Sequence, residues 1–231
     1  MDAVILAAGF GLRLGNFTES MPKTLLRIKG QETILSRLIE TLLRATISKI
    51  HIIAGFQAEK IKNHINHFNS NDVTVLVAKD YKKGPLYTFK EAEEIGLQED
   101  FLLLPSDIIF QDNFLFEFIR EHEQGNFCTP YTRKEELDEA NILFINEEES
   151  RAIGFNKKIL MKPFTKVTPI PAIILNSNVY RFVDVAIKLK CTRVIQALNL
   201  AIELNQMIHA KDYSGTKWLD VDTPEIYDKI K

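Results

Sequence analysis

The sequence predicts an α/β fold: a mostly parallel sheet with helices on both faces, three layers in all. Three observations predict it. Apolar runs of strand length alternate with amphipathic, helix-length segments through the first half of the chain. A glycine-rich stretch, "LAAGFGLRLG" at Leu6–Gly15, stands directly behind the first apolar run, at the strand-to-helix handover where such folds bind ligands. Past Thr129 the alternation gives way to a charged, irregular segment with short β-like pieces, which predicts a small β-containing insertion in the second half.

Taken in order, the strands are expected at Ala3–Leu6, Lys49–Ala54, Val73–Val77 and Phe101–Leu104. Between them Ile34–Leu43 places Ile34, Leu35, Leu38, Ile39, Leu42 and Leu43 on one helical stripe. Glu59–Phe68 and Tyr87–Ile95 read as the next crossovers, and Phe114–His122 as a helix after the fourth strand. Beyond Thr129, Ile142–Ile145 and Lys158–Met161 are β-like, Glu147–Glu149 is a solvated loop, and Ile170–Leu175 is a strand. Asn178–Lys188 and Val194–Leu204 have helical patterns, and Thr216–Val221 is the last strand. With neither an internal repeat nor a low-complexity linker, residues 1–231 are expected to form one domain.

Composition narrows the function. Lys plus Arg total 29 against 31 Asp plus Glu, a net charge of −2, so nothing favours a nucleic-acid backbone as partner. No apolar stretch reaches the ~20 residues of a membrane span, and no signal peptide is expected. Two cysteines without metal-ligand spacing fit a reducing compartment, and a cytoplasmic protein is expected, monomeric or homodimeric. The histidines at 51, 64, 67, 122 and 209 form no ligand pattern.

From Ala7 to Pro22 sixteen residues pass before the helical pattern begins, and connections beyond about 12–15 residues are usually functional. Gly9, Gly11 and Gly15 let the backbone come close to a ligand and offer its N–H groups to phosphates. Two familiar phosphate motifs do not fit. The spacing is G-x-G-x-x-x-G rather than the dinucleotide fingerprint, and no Lys follows as in a P-loop. Arg13 inside the loop and Lys23 behind it supply two cations, as a polyphosphate requires. A triphosphate carries about −4, so a divalent cation is expected as well, and Mg²⁺ takes one or two carboxylates.

Asp107, in "FLLLPSDIIF", lies just beyond the fourth strand, although an isolated Asp there is also a common turn or cap residue. In "TKWLDVDTPEIY" strand alternation puts Trp218, Asp220 and Asp222 on one face, and two like charges side by side are costly without a cation. Asp222 also precedes Thr223-Pro224-Glu225, a helix start, so capping is open to it too.

"VILAAGFGLRLGNFTESMPKTLL" resembles the N-terminal signature of the nucleotidyltransferases, L-A-A-G-x-G-x-R followed by P-K, found in sugar-1-phosphate enzymes and small cytidylyltransferases. "PSDIIF" and "WLDVDTPE" resemble the family's two metal-binding segments, the second most like inositol-1-phosphate cytidylyltransferase domains. The resemblance implies a Rossmann-like nucleotidyltransferase fold. About 1–130 would be the nucleotide-binding part and about 131–231 the acceptor-binding part, which also brings the second metal ligands. It implies nucleotide binding by Leu6, Ala7, Ala8, Gly9, Phe10, Gly11, Lys79 and Gly84, and catalysis by Arg13 and Lys23. Asp107 with Asp220, Asp222 or both would hold Mg²⁺, and Lys162 in "ILMKPF" would bind the acceptor phosphate. The implied reaction moves a nucleoside monophosphate from a nucleoside triphosphate, with a lean to CTP, onto a phosphorylated small molecule such as an inositol phosphate or a sugar 1-phosphate. Two alternatives are a GTP-dependent guanylyltransferase of the cobinamide-phosphate type and a nucleotide sensor without catalysis.

Overall fold

The computed structural model describes residues 1–29, 32–66, 68, 71–110, 113–133, 141–156 and 163–231. Lys162 and the β-like stretch 158–161 lie outside them. The first four apolar runs form one parallel block: β1 (Asp2–Ala7), β2 (Ile50–Ala54), β3 (Val73–Val77) and β4 (Phe101–Pro105). β1 pairs with both β2 and β4, placing Ile5 opposite Ile52 on one side and Leu104 on the other. The spatial order β4-β1-β2-β3 reverses direction between β1 and β4, so a crevice opens beyond their carboxyl ends.

The crossovers are α1 (Ile34–Arg44), α2 (Ala58–Ile65) and α3 (Pro85–Glu91), followed after β4 by a short turn, β5 (Ile108–Phe110) and α4 (Phe114–Arg120). Local chemistry sets their starts. The Thr33 hydroxyl accepts the Ser36 N–H at the head of α1, and Pro85 opens α3, where its missing N–H costs nothing.

The second half departs from the expected mostly parallel sheet. It contributes β6 (Phe127–Thr132), β7 (Leu143–Asn146), β8 (Arg151–Phe155), β9 (Thr165–Pro169), β10 (Ile173–Leu175) and β11 (Ile208–Asp212). These extend the sheet to ten strands, and every ladder they make is antiparallel except β6–β11. The sheet is therefore mixed. The reason lies in the connections: short turns such as 147–150 can join only antiparallel neighbours, and a helix crossover is needed for parallel ones. The strand expected over Ile170–Leu175 begins only at Ile173, because Pro171 lacks the N–H a ladder needs.

Residues alternate across the sheet between two cores. Ala3, Ile5, Ile52 and Leu104 pack with Leu38 and Ile39 of α1 and Phe118 of α4. Val4, Ile53 and Phe101 pack instead with Phe89 of α3 and with α5 (Val179–Lys188) and α6 (Val194–Glu203). Each fully buried side chain of this kind contributes about 1.5–3 kcal/mol. Among the described residues, no helix is long and apolar enough to cross a membrane.

A third, smaller core positions the site. β12 (Trp218–Asp220) pairs antiparallel with β5, and α7 (Pro224–Asp228) follows it. Leu14 of the glycine loop, Leu26, Ile28, Ile34, Ile109, Val221 and Tyr227 are buried together there. Tyr227 donates its hydroxyl to the Arg27 carbonyl at 2.8 Å, and Phe17 meets its ring edge-on at 5.0 Å. Loss of that hydrogen bond in Tyr227→Phe is expected to cost about 1 kcal/mol, and Tyr227→Ala about 3–5 kcal/mol, in urea unfolding.

Candidate active site

The glycine loop is ordered rather than open. Gly11 adopts left-handed backbone (φ 67°) and starts two short 3-10 turns within Leu12–Thr18, separated by a kink at Gly15; a further such turn covers Lys23–Leu25. A Cβ at Gly11 would lie 3.0 Å from Lys23 Cβ and 3.1 Å from Thr18 Cγ2, so this close approach excludes a side chain. Leu6 is half-buried, Ala7 and Ala8 are buried, and Gly9 is exposed with open space where its Cβ would point. The Phe10 ring sits 5.1 Å from Phe56 and 5.5 Å from Tyr81, and the Phe56 N–H donates to the Ala8 carbonyl at 3.1 Å. Phe56 and Tyr81 escape a reading by motif. Their signal is positional, since each follows the carboxyl end of a parallel strand.

Strand register assembles the charged groups. Asp220 lies opposite Ile108, and the Val221 N–H donates to the Asp107 carbonyl at 3.0 Å. Asp107 thus stands across from Val221, flanked by Asp220 and Asp222. The alternation expected of this segment is present: Trp218 packs on the first core, and Leu219 and Val221 on the third. Neither capping alternative applies, because Asp107 occupies the turn between two strands and Thr223 takes the cap position of α7.

Lys23 reaches this cluster from below the loop. Its side chain is only 10% exposed, and the ammonium lies 2.5 Å from Asp107, hydrogen-bonds Asp222, and stands 3.9 Å from Asp220. Burial alone would lower its pKa. The charge and hydrogen bond of Asp107, then those of Asp222, outweigh burial and hold the pKa above its usual value. Arg13, 70% exposed, makes an ion pair with the other oxygen of Asp222. Asp220 meets the Lys23 ammonium only at 3.9 Å, farther than either other aspartate. Desolvation within the crowded cluster first, then the Asp107 and Asp222 charges, push this half-exposed carboxyl up to about 7. The cluster therefore holds three carboxylates against two cations. One ligand oxygen from each of Asp107, Asp220 and Asp222 lies within 4.8 Å of the others, the one such group among the described residues. Hard oxygen donors with surplus negative charge fit a divalent cation such as Mg²⁺.

The structure thus brings together Arg13, Lys23, Asp107, Asp220 and Asp222. Lys79 and Gly84 stand on the β3–α3 connection, outside this ion-pair network. Lys79 is exposed. The close approach at Gly84 is to protein: a Cβ there would lie 2.8 Å from the Thr192 carbonyl, which also accepts the Leu86 N–H at 2.9 Å.

A glycine loop, a buried lysine and a carboxylate trio thus stand together at the reversal of the parallel block. Residues 3–186 match the family model described as the MobA-like NTP transferase domain. The chain belongs to that family. The bifunctional protein GlmU of Methanococcus maripaludis is 37% identical over 113 residues, 49% of this chain and 26% of that protein. The CTP:phosphoglutamine cytidylyltransferase of Campylobacter jejuni is 29% identical over 129 residues, 54% of this chain and 50% of that protein. The chain thus spans about a quarter of the first relative and half of the second. The inositol-1-phosphate CTP transferase from T. maritima has the same fold, with a TM-score of 0.81 at 17% identity over 97% of this chain and 90% of that one. The family match ends before Asp220 and Asp222, so their membership in the cluster rests on the β5–β12 register.

Asp220 gives the site a pH signature. A carboxyl whose folded pKa is raised favours folding below its unfolded value near 3.8, and that contribution is lost as pH rises through about 7. In metal-free buffer Asp220→Asn is expected to melt higher than the wild type at pH 8, with the difference disappearing by pH 4. An equal difference at both values would show that Asp220 is not under this strain.

Proposed function

We propose that this chain is a nucleotidyltransferase that moves a nucleoside monophosphate from a nucleoside triphosphate to a phosphorylated small molecule, releasing pyrophosphate. The observation that carries the reading is the Lys23 ammonium held between Asp107 and Asp222 beneath the glycine loop. CTP is the proposed donor, because the Campylobacter relative and the T. maritima structure are both named for CTP. Their names also support an acceptor with a phosphate group, of which an inositol phosphate or a sugar 1-phosphate is an example.

In this reading the Ala7–Gly11 backbone receives the nucleotide, Lys79 and Gly84 contact the base, and Lys162 binds the acceptor phosphate. An acceptor phosphate oxygen attacks the α-phosphorus; the new P–O bond forms as the α–β bridge breaks and pyrophosphate leaves. The second pKa of a phosphate monoester is ~6, so the nucleophile is already ionised and the protein supplies no base. Lys23 and Arg13 neutralise charge on the reacting phosphates, and Arg13 must leave Asp222 to do so. Asp107, Asp220 and Asp222 would hold Mg²⁺, which supplies charge neutralisation at the phosphates and orients them.

Thermal unfolding with Mg²⁺ and each of ATP, CTP, GTP, UTP and dTTP tests the donor. A nucleotide at 100 times its Kd adds ~2.7 kcal/mol, a midpoint shift of roughly 5–10 °C in a chain of this size. CTP is expected to give that shift and Asp107→Ala to lose it; a protein indifferent to all five would overturn the reading. Pyrophosphate release with a panel of phosphorylated acceptors then tests the chemistry. Lys23→Ala and Asp107→Ala are each expected to lower turnover by ~10²–10³. Near-native rates in either variant would sink the mechanism.

A further inference from the structure

Arg13 raises a question of aim. Its side chain is 70% exposed against 17% for Asp222, so the pair is open to solvent on the arginine side and packing does not fix the guanidinium. The backbone beneath it sets the point from which that long, flexible side chain reaches the site. That backbone is a tight arc between two left-handed glycines, Gly11 (φ 67°, ψ 29°) and Gly15 (φ 55°, ψ −129°), with Leu14 buried and Leu12 in solvent.

One side chain spans the arc. Thr18 is 4% exposed, and its Oγ1 donates to the Gly11 carbonyl at 2.9 Å, with the Gly15 carbonyl 3.2 Å away. The contact with Gly15 is ordinary local back-bonding. The contact with Gly11 reaches back seven residues and ties the two ends of the arc to one hydroxyl. The Gly11 carbonyl also accepts the Leu14 N–H at 2.9 Å, and the Thr18 methyl lies against Gly11. The neighbouring Phe17 ring rests on Tyr227, which anchors this end to α7. We propose that Thr18 is a positioning residue for Arg13: its hydroxyl closes the Gly11–Gly15 arc and so keeps the guanidinium at the edge of the cluster, within reach of Asp222 and of an incoming phosphate. The proposal rests on the nucleotidyltransferase reading for what Arg13 does once aimed. It is independent of that reading for what holds the arc.

The test compares Thr18→Val, which keeps the shape and deletes the hydroxyl, with Thr18→Ser, which keeps the hydroxyl. Calorimetric titration of CTP with Mg²⁺ is expected to show about tenfold weaker binding in Thr18→Val and near-native binding in Thr18→Ser. On an Arg13→Gln background, Thr18→Val is expected to change binding by less than about twofold, because the residue it positions is gone. An equal loss on both backgrounds, or unchanged binding in Thr18→Val, overturns the proposal. Should Thr18→Val melt below the assay temperature, Thr18→Ala takes its place. Amide exchange needs no nucleotide. The Leu14 N–H is expected to exchange at least about tenfold faster in Thr18→Val, with β1 amides unchanged, and an unmoved Leu14 rate overturns the latch itself. A wild type that binds no nucleoside triphosphate overturns the functional reading, and the exchange result then decides the arc alone.

Discussion

The buried Lys23 ammonium is the constraint around which the carboxyl edge of the sheet is arranged. An ammonium taken from water without partners is strongly unfavourable, and three carboxylates crowded without a cation are equally so. Each charge makes the other tolerable. Lys23 can be buried because Asp107 and Asp222 receive it, and β5 can pair with β12 at this register because Lys23 relieves the repulsion between them. The third core beneath, from Leu14 to Tyr227, supplies the apolar packing that holds the partners at this distance.

The parallel half of the fold is written in local patterns. β1, β2 and β4 are apolar runs because both their faces are covered, whereas the edge strand β3 is partly exposed, and the stripe of α1, Leu43 apart, is the face it buries. The later strands leave weaker traces. "FCTPYT" carries a proline and three polar or weakly polar positions yet is buried throughout as β6, and β5 and β12 are only three residues each. Strand direction was less legible still, since no local pattern distinguishes parallel from antiparallel pairing once both faces are covered.

The site divides in the same way. Residue type and position single out Arg13, Lys23 and the three aspartates, because phosphate and metal chemistry requires those groups at a sheet's carboxyl edge. Which charge meets which is a matter of register: the pairing of Arg13 with Asp222, and the greater distance of Asp220 from Lys23, follow from Asp107 standing opposite Val221. Thr18, Phe56 and Tyr81 are ordinary residues in a sequence and acquire meaning only through the loop they touch. Gly84 shows the reverse. Its lack of a side chain is already accounted for by the Thr192 carbonyl, so the residue's presence alone does not argue for a ligand.

The contact between Lys23 and Asp222 joins residues 199 positions apart, and this separation orders events during synthesis. At roughly 5–20 residues per second, a ribosome extends the chain for about 10–40 s between making the lysine and making its partner. Through that interval the glycine loop exists without the strand and helix that fold it, while β1 to β4 already have the sequence they need to pair. A growing chain is thus able to pair β1 to β4 long before it possesses Asp220 and Asp222, and the charged cluster is completed only late in translation.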